Sequence, residues 1–268
     1  MAVHAIITGG SSGIGLATAG LLASRGASVS IIARNLERLE AAKHRISQAA
    51  TGTARVQIFS CDVRDPLACQ SAVDEASASF GAPDWAVASA GIARPGLFLS
   101  QGLEDFNDQI QTNYLGSLYF AKAVSSHMVA AGGGKLVFIA SGAAFVGLFG
   151  YSSYGPSKFA VRALAESLRV ELKSRGISVT LVCPGDTNTP QHTEELPMRP
   201  KVTRILAGDG SILAPEAVAE RLVRSASRGQ FLVTFGWQLQ ILGRLHSFIA
   251  PAVMGYQNWL VSRHGDGT

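Results

Sequence analysis

At 268 residues, the chain is long enough for one large α/β domain or two small ones. Its net charge of +4 comes without a Lys/Arg-rich run, which argues against a nucleic-acid partner and fits an anionic cofactor or a membrane surface. Three cysteines without a CxxC pair favour free thiols, and the N-terminal MAVHAIITGG lacks the features of a signal peptide. We therefore expect a cytoplasmic protein.

Short β-branched runs alternate with longer helix-forming segments along the whole chain. The runs HAIITG, SVSIIA, RVQIFS, WAVASAG, KLVFIAS, ISVTLVCPG and QFLVTFG predict about seven strands. The intervening segments predict helices, including a long one around NDQIQTNYLGSLYFAKAVSSHM, one over 153–174 and one near 215–227. Because the strands are apolar without polar alternation, we expect a doubly wound parallel sheet with helices on both faces, an α/β fold. Ligands of such sheets bind beyond the carboxyl ends of the strands.

A glycine-rich segment, TGGSSGIG, follows the first predicted strand directly. Its glycines have the spacing GxxxGxG and are Gly9, Gly13 and Gly15. Glycines let the backbone approach a pyrophosphate, which then rests against the N-terminus of the helix predicted to start near Ile14. The hydroxyl groups available there belong to Thr8, Ser11 and Ser12. The strand–turn–helix context favours a dinucleotide site over a tight turn without a ligand.

The end of the second strand predicts which dinucleotide binds. It reads IIARN, with Arg34 and no acidic residue before Glu37. An acidic residue there would hold a ribose 2′-hydroxyl, whereas a guanidinium suits a 2′-phosphate, so we expect NADPH. A merely solvated Arg34 is the weaker alternative. Asp62 and Val63 follow the third strand, where they can hold the adenine edge or simply cap the helix starting at Pro66.

The segment YSSYGPSKFA places Tyr154 and Lys158 four residues apart. On a helix these positions share one face, so a phenol and an ammonium would lie side by side. A neighbouring positive charge lowers the pKa of a phenol and makes it a better proton donor at neutral pH. The spacing alone is weak, because chance produces it in about one chain in four of this size. A surface Tyr-Lys pair is the alternative.

With the glycine turn at its start and this Tyr-x-x-x-Lys past its middle, the sequence resembles the short-chain dehydrogenase/reductase family over about residues 3–235, which implies a Rossmann fold. Further features match in order and separation: Asn113 in NYLG, Ser141 ending KLVFIAS, Pro184 and Gly185 in CPG, and Thr187 and Thr189 after it. Family members usually end the fourth strand in NNAG, whereas residues 88–91 here read ASAG. Since the missing amides normally tie strands or contact the cofactor, this departure predicts lower local rigidity.

The resemblance implies a role for each matching side chain. Tyr154 donates its proton to a carbonyl oxygen as hydride arrives from the nicotinamide, and Lys158 lowers the Tyr154 pKa and hydrogen-bonds the nicotinamide ribose. Ser141 steadies the substrate oxygen, and Asn113 breaks a helix to hold a water that relays protons to Lys158. The predicted catalytic residues are therefore Asn113, Ser141, Tyr154 and Lys158. The predicted NADPH-binding residues are Thr8, Gly9, Ser11, Ser12, Gly13, Ile14, Gly15, Arg34, Asp62, Val63, Ala90, Gly91, Tyr154, Lys158, Pro184, Gly185, Thr187 and Thr189.

Within the family, the segments GLFGYSSYGPSKFAVRALAESLRVELK, PGDTNTPQHTEELPMRP and PEAVAERLV look like those of 3-ketodihydrosphingosine reductases. Gly185 and the pair 191–192 depart from that subgroup. The likeness implies NADPH-dependent reduction of a long-chain amino ketone. Glu194 and Glu195 then either attract the substrate ammonium or form a solvated acidic loop. Residues 143–150, AAFVGLFG, form either an apolar wall for the alkyl chain or plain core packing.

Two alternatives to this substrate stay open at this point. One is a reductase of another apolar ketone, such as a steroid or a 3-oxoacyl thioester. A thioester carrier predicts basic residues at the pocket mouth, and the candidates are Arg199, Lys201 and Arg204. The other is a non-catalytic, NADPH-responsive binding protein. The complete Ser-Tyr-Lys-Asn set argues against the latter, because a pure binding protein would not need all four.

The tail differs in composition from the rest of the chain. We expect a catalytic domain over 1–236 and an apolar extension over 237–268. No formal charge lies between Arg244 and Arg263, but Pro251, Gln257 and Asn258 make this stretch a poor membrane span. A segment lying on the cytoplasmic face of a membrane and one packing in a homo-oligomer, a dimer or tetramer, both fit this composition.

Overall fold

The computed structural model describes residues 3–208 and 212–265. It contains seven strands: β1 His4–Thr8, β2 Ser28–Ala33, β3 Val56–Ser60, β4 Trp85–Ala88, β5 Gly134–Ile139, β6 Ile177–Cys183 and β7 Leu232–Thr234. They form one parallel sheet in the order β3-β2-β1-β4-β5-β6-β7. The seven-stranded, doubly wound sheet predicted from the apolar runs is confirmed.

Helices connect successive strands. They are α1 Gly13–Ala23, α2 Leu36–Ala49, α3 Pro66–Phe80, α4 Leu103–Gln109, α5 Gly116–Ala130, α6 Tyr154–Glu171, α7 Pro190–Glu195, α8 Lys201–Ala207, α9 Pro215–Ser227 and α10 Gly236–His264. A π-helical segment, Ile110–Leu115, joins α4 to α5. The long helix predicted around 107–128 is therefore continuous in direction but interrupted in its hydrogen-bond pattern.

Both faces of the sheet are buried under helices. Alternate residues of β1 belong to different core clusters: Ile6 packs with Phe120 and Phe138 on one face, and Ile7 packs with Leu222 on the other. Because both faces need apolar side chains, the strands read as continuous apolar runs rather than alternating ones.

The strand order reverses beside β1, which pairs with β2 on one side and with β4 on the other. In parallel sheets a crevice opens at such a point, beyond the carboxyl ends of the strands. The glycine turn follows β1, Ser141 follows β5 and Pro184 follows β6, so the predicted site residues share this edge.

The C-terminal helix α10 begins at Gly236, one residue before the predicted start of the extension. It is kinked at Leu245, where φ is −123° and ψ is 22°, and it contains Pro251. Gln257 of α10 is buried; its side chain accepts from the Phe149 N–H at 2.7 Å and donates to the Gly147 carbonyl at 3.0 Å. These bonds fasten α10 to the segment that follows β5. Within residues 3–208 and 212–265, no helix has the length and apolar character needed to cross a bilayer.

Candidate active site

Tyr154 and Lys158 lie in the first turns of α6, on one face of the helix. Tyr154 is only 7% exposed and Lys158 only 5%, so the pair is not a surface feature. The Lys158 Nζ lies 5.7 Å from the centroid of the Tyr154 ring and donates a hydrogen bond of 3.1 Å to the Ile139 carbonyl at the end of β5. The alternative of a solvated Tyr-Lys pair is therefore wrong.

Ser141 is placed by a tight turn that directly follows β5. Its hydroxyl oxygen accepts from the Ala143 N–H at 3.2 Å and caps a 3₁₀ turn, Gly142–Ala144. The same side chain hydrogen-bonds the phenol of Tyr154, which favours the phenolate form. The first turn of α6 and the end of β5 thus bring the serine, tyrosine and lysine together.

The electrostatics of Tyr154 differ from the sequence-based expectation. Burial raises the pKa of Tyr154 above its usual value, and the negative charge of Glu195 adds to this; the hydrogen bond from Ser141 opposes it. Burial lowers the pKa of Lys158 to about 8, because its ammonium has lost water. The expected lowering of the Tyr154 pKa by Lys158 is therefore wrong for this structure, in which desolvation outweighs every favourable charge.

Asn113 sits in the π-helical segment and is fully buried. Its amide accepts from the Ile92 N–H at 2.8 Å and donates to the Ile92 carbonyl at 2.9 Å and to Ser157 Oγ at 2.9 Å. A methyl group added at Gly91 would lie 3.1 Å from Asn113 Oδ1 and 3.4 Å from Lys158 Nζ. Asn113 and Lys158 therefore flank Gly91, and the relay of protons through a water on Asn113 stays a prediction.

The glycine turn after β1 needs residues without a side chain. Gly9 has φ of +67°, and a Cβ there would meet the backbone of Ser89 and Ala90 at 2.8 Å. Gly13 has φ of +53°, and a Cβ there would lie 2.9 Å from the side chain of Thr189. The turn is therefore in close contact both with the end of β4 and with the segment after β6, and α1 begins at Gly13, one residue before the predicted start.

Thr8 ties the ends of β1 and β4 together. Its hydroxyl oxygen accepts from the N–H groups of Ser89 at 3.2 Å and Ala90 at 3.3 Å, and the residue is buried. The ASAG segment therefore has a tie between strands although it lacks the amides usual in the family. The lower local rigidity expected from that departure is offset by Thr8.

Arg34 is exposed at the carboxyl end of β2, next to Asp62. Burial opposes ionisation of the Asp62 carboxyl, but the hydrogen bonds from Arg64 outweigh it, and the Asp62 pKa is lowered. Asp62 lies 2.7 Å from Arg64, whereas Asp65 accepts from two backbone N–H groups in the first turn of α3. The interpretation of Asp62 as the cap of that helix is wrong, since Asp65 is the cap; Val63, which follows, is buried.

The segment after β6 is held beside the Ser141 turn. The Gly142 N–H donates to the Pro184 carbonyl at 3.2 Å, and the Thr187 hydroxyl donates to the Gly185 carbonyl at 3.0 Å. Thr189 accepts from a backbone N–H at 3.2 Å and caps the short helix α7. The predicted cofactor residues of this segment thus face the glycine turn through the contact of Thr189 with Gly13.

An ionic cluster lies close to Tyr154, and the sequence did not predict it; Glu195 and Arg199 are buried, whereas the Asp186 side chain is 34% exposed. Glu195 accepts hydrogen bonds on Oε1 from the Tyr151 hydroxyl and from Arg199 Nε, the latter at 2.9 Å. Arg199 also donates two bonds of 2.6 Å to Asp186. The solvated acidic loop is therefore wrong for Glu195, which is buried, although Glu194 is exposed. The one signal in the sequence was the position of Tyr151, three residues before Tyr154, the predicted proton donor.

The same contacts remove two of the basic residues expected at a pocket mouth. Arg199 is buried in the ionic cluster, and Arg204 donates to the backbone carbonyls of Arg199 and Pro197 at 2.9 and 3.3 Å. Both guanidinium groups are therefore engaged within the loop after β6.

Residues 143–150 serve both of the predicted purposes. Ala143 packs with Tyr151, Tyr154 and Leu148 in a small apolar cluster at the proton donor. Phe145 instead belongs to the main core. Ala143 and Leu148 therefore contribute to an apolar wall beside Tyr154, whereas Phe145 packs in the core.

A cavity of about 860 Å³ runs along α1 and α9. Its lining includes Ser11, Ser12, Gly13 and Arg38 but neither Tyr154 nor Lys158. It therefore adjoins the glycine turn rather than the catalytic side chains.

Comparison with known proteins places this geometry in a family. The sequence profile described as "short chain dehydrogenase" matches residues 3–200. The chain belongs to the short-chain dehydrogenase family. Among curated family relatives, a 3-dehydrosphinganine reductase of Danio rerio is 36% identical over 250 residues, covering 92% of this chain and 75% of the relative. The 3-dehydrosphinganine reductase TSC10A of Arabidopsis thaliana is 39% identical over 251 residues, with the same coverage of 92% and 75%.

Solved structures of short-chain dehydrogenases share the fold. An alcohol dehydrogenase from the archaeon Thermococcus sibiricus, complexed with 5-hydroxy-NADP, aligns with a TM-score of 0.75 and 25% identity over 88% of this chain and 96% of that one. Together with the relatives, this confirms the predicted family and its Rossmann fold.

Proposed function

We propose that this chain is an NADPH-dependent reductase that converts the ketone of 3-ketodihydrosphingosine to a secondary alcohol. One observation carries the proposal: Tyr154 and Lys158 are buried together beside Ser141, in a chain whose relatives are named 3-dehydrosphinganine reductases. A buried phenol and ammonium beside a serine hydroxyl, at the carboxyl edge of a parallel sheet, suit the reduction of a carbonyl.

Each side chain has a separate task in this reaction. The Tyr154 phenol is protonated at neutral pH and gives its proton to the developing alkoxide, although burial raises its pKa and makes it a weaker acid than an exposed phenol. Ser141 donates to the same oxygen and stabilises its negative charge. Lys158, with a pKa of about 8, supplies a positive charge at neutral pH. The nicotinamide cofactor supplies the hydride.

The glycine turn and Arg34 hold the part of the cofactor that carries the pyrophosphate and the 2′-phosphate. Gly9 and Gly13 have no room for a side chain. A pyrophosphate can therefore approach the backbone of this turn closely. Arg34 is exposed at the carboxyl end of β2 and suits a 2′-phosphate, which favours NADPH over NADH.

The decisive experiment measures NADPH oxidation by the wild-type enzyme with three substrates: 3-ketodihydrosphingosine, a steroid ketone and an acetoacetyl thioester. We expect kcat/KM to be highest for 3-ketodihydrosphingosine, by about 10-fold or more, the difference that about 1.4 kcal/mol of transition-state binding produces. A higher kcat/KM for either of the others would refute the substrate assignment. The burial of Arg199 among carboxylates argues against the thioester.

We further propose that α10 lies on a membrane surface. Exposed apolar side chains lie on both sides of its kink: Trp237 and Ile241 before it, Leu245 at it and Phe248 after it, of which Trp237 is 67% and Phe248 84% exposed. Arg244 and Arg263 are exposed on the same helix and suit anionic headgroups. A substrate with a long alkyl chain resides in such a membrane.

Replacing both Trp237 and Phe248 by serine should lower the fraction of protein that sediments with phosphatidylcholine–phosphatidylserine vesicles several-fold, because apolar burial drives such binding. Leu67→Ser, at an equally exposed position on α3, is the matched control and should not change it. Unchanged sedimentation of the double variant would refute the membrane contact. A smaller oligomer in its place would identify the face as a subunit interface.

A further inference from the structure

The ionic cluster beside the site consists of Tyr151, Asp186, Glu195 and Arg199, and it carries an excess negative charge. Glu195 and Asp186 supply two carboxylates, and Arg199 supplies one guanidinium that contacts both. Within the described part of the chain, the imidazole Nδ1 of His192 also lies 4.0 Å from Asp186. A buried charge is costly unless it is paired, so a net negative cluster at a substrate site favours a cationic ligand.

Its position fits a ligand that also contacts Tyr154. The Tyr151 and Tyr154 rings are in contact, with centroids 5.4 Å apart, and the Tyr151 hydroxyl donates to Glu195. Glu195 is thus one tyrosine away from the proton donor. Its Oε1 accepts both bonds of the cluster, and no hydrogen bond to Oε2 is found within residues 3–208 and 212–265. The Glu195 side chain is 8% exposed.

We propose that Glu195 binds the ammonium group on the carbon next to the ketone, and thereby makes this enzyme selective for 2-amino ketones. The inference rests on the proposed function and assigns its substrate specificity to one residue. In a 2-amino ketone the nitrogen and the oxygen are on adjacent carbons, so a group that binds the ammonium must lie close to the group that protonates the oxygen. Glu195 accepts from Tyr151, whose ring contacts the Tyr154 ring, so both groups line the same side of the site.

The other members of the cluster position Glu195. Arg199 and Tyr151 both donate to Oε1, which fixes the carboxylate and directs Oε2 away from them. Asp186 neutralises Arg199 through its two short bonds, so Glu195 keeps its charge available for the ligand. Glu194, one residue earlier, is exposed and has no place in this network.

The test compares Glu195→Gln with the wild type on two substrates, 3-ketodihydrosphingosine and the same 1-hydroxy-3-ketone without its amino group. Glutamine keeps the shape of the side chain and removes its charge. We expect kcat/KM for the amino ketone to fall about 10- to 100-fold, mostly through KM, as for the loss of a hydrogen bond to a charged group. For the ketone without the amine we expect a change below about threefold. Glu194→Gln is the matched control and should change neither value.

An equal loss with both substrates would overturn the proposal, since a purely structural ion pair does not distinguish them. If Glu195→Gln does not fold, the wild type still tests whether the enzyme recognises the substrate ammonium. The ratio of kcat/KM for the amino ketone to that for the other ketone should fall about tenfold per pH unit above the amine pKa, and a constant ratio would contradict the proposal. A wild type that reduces only the ketone without the amine would refute the proposed function itself. If the wild type reduces both ketones and Glu195→Gln changes kcat/KM equally for the two, this inference alone is refuted.

Discussion

Replacing Tyr154 by phenylalanine is expected to lower kcat by about 10²- to 10⁴-fold and to leave the Kd for NADPH within about twofold. A positioned general acid contributes a factor of this size, and the substitution removes only the hydroxyl that supplies the proton. The ring itself keeps its contacts with Tyr151 and Ala143, so the fold at the start of α6 should not change. Turnover is measured by NADPH oxidation and binding by fluorescence titration.

Tyr119→Phe is the matched control for this substitution. Tyr119 lies on α5, is half-buried and packs against the main core. It loses the same hydroxyl without a place among the catalytic side chains, and kcat should stay within about twofold, since removing a positioned general acid is what costs orders of magnitude. Substantial turnover by Tyr154→Phe would refute the assigned proton donor.

Arg34→Ala is expected to weaken NADPH about 10- to 100-fold and to leave the Kd for NADH almost unchanged. In the proposed complex the guanidinium hydrogen-bonds a 2′-phosphate that only NADPH carries, and the loss of a hydrogen bond to a charged group produces an effect of this size. Because Arg34 is exposed, salt screens the interaction, so the ratio of the two Kd values should shrink as ionic strength rises.

Arg25→Ala tests whether a general change of charge produces the same result. Arg25 is also exposed, but it precedes β2 whereas Arg34 follows it, so the two residues lie beyond opposite ends of that strand. The control should leave the Kd values of both cofactors unchanged. An equal loss of NADPH and NADH binding in Arg34→Ala would contradict the assigned cofactor specificity.

The architecture was predictable because it depends on patterns of short range. Apolar runs mark the strands, which are three to seven residues long, and the glycine turn marks the start of α1. In a parallel sheet, the carboxyl ends of the strands share one edge, so the order of motifs along the chain also predicts that Ser141 and the Tyr154–Lys158 pair lie together. The comparisons confirm the family that these motifs indicated.

The ionic cluster was not predictable, because it depends on contacts between distant residues. Glu195 and Glu194 look alike in sequence, yet only Glu195 faces Arg199 one helical turn later and Tyr151 forty-four residues earlier. Thr8, which compensates for the amides missing from the ASAG segment, accepts hydrogen bonds from residues more than eighty positions away. In both cases the side chain's partner, not its type, decides its role.

The electrostatic expectation at Tyr154 failed for a related reason. The sequence shows that an ammonium lies near the phenol, but it does not show how much water either group loses. Burial raises the Tyr154 pKa and lowers that of Lys158 to about 8, so desolvation dominates both. The tail was likewise only half predictable: its apolar character is evident, whereas the two hydrogen bonds of Gln257 to the segment after β5 are not.

The central claim is that Tyr154, Lys158 and the glycine turn act on a single bound dinucleotide, and a crystal structure with NADP⁺ tests it most directly. We predict the pyrophosphate against the N-terminus of α1 and the nicotinamide ribose within hydrogen-bond distance of Tyr154 Oη and Lys158 Nζ. A nicotinamide bound elsewhere, or a Lys158 side chain directed away from the ribose, would contradict the account.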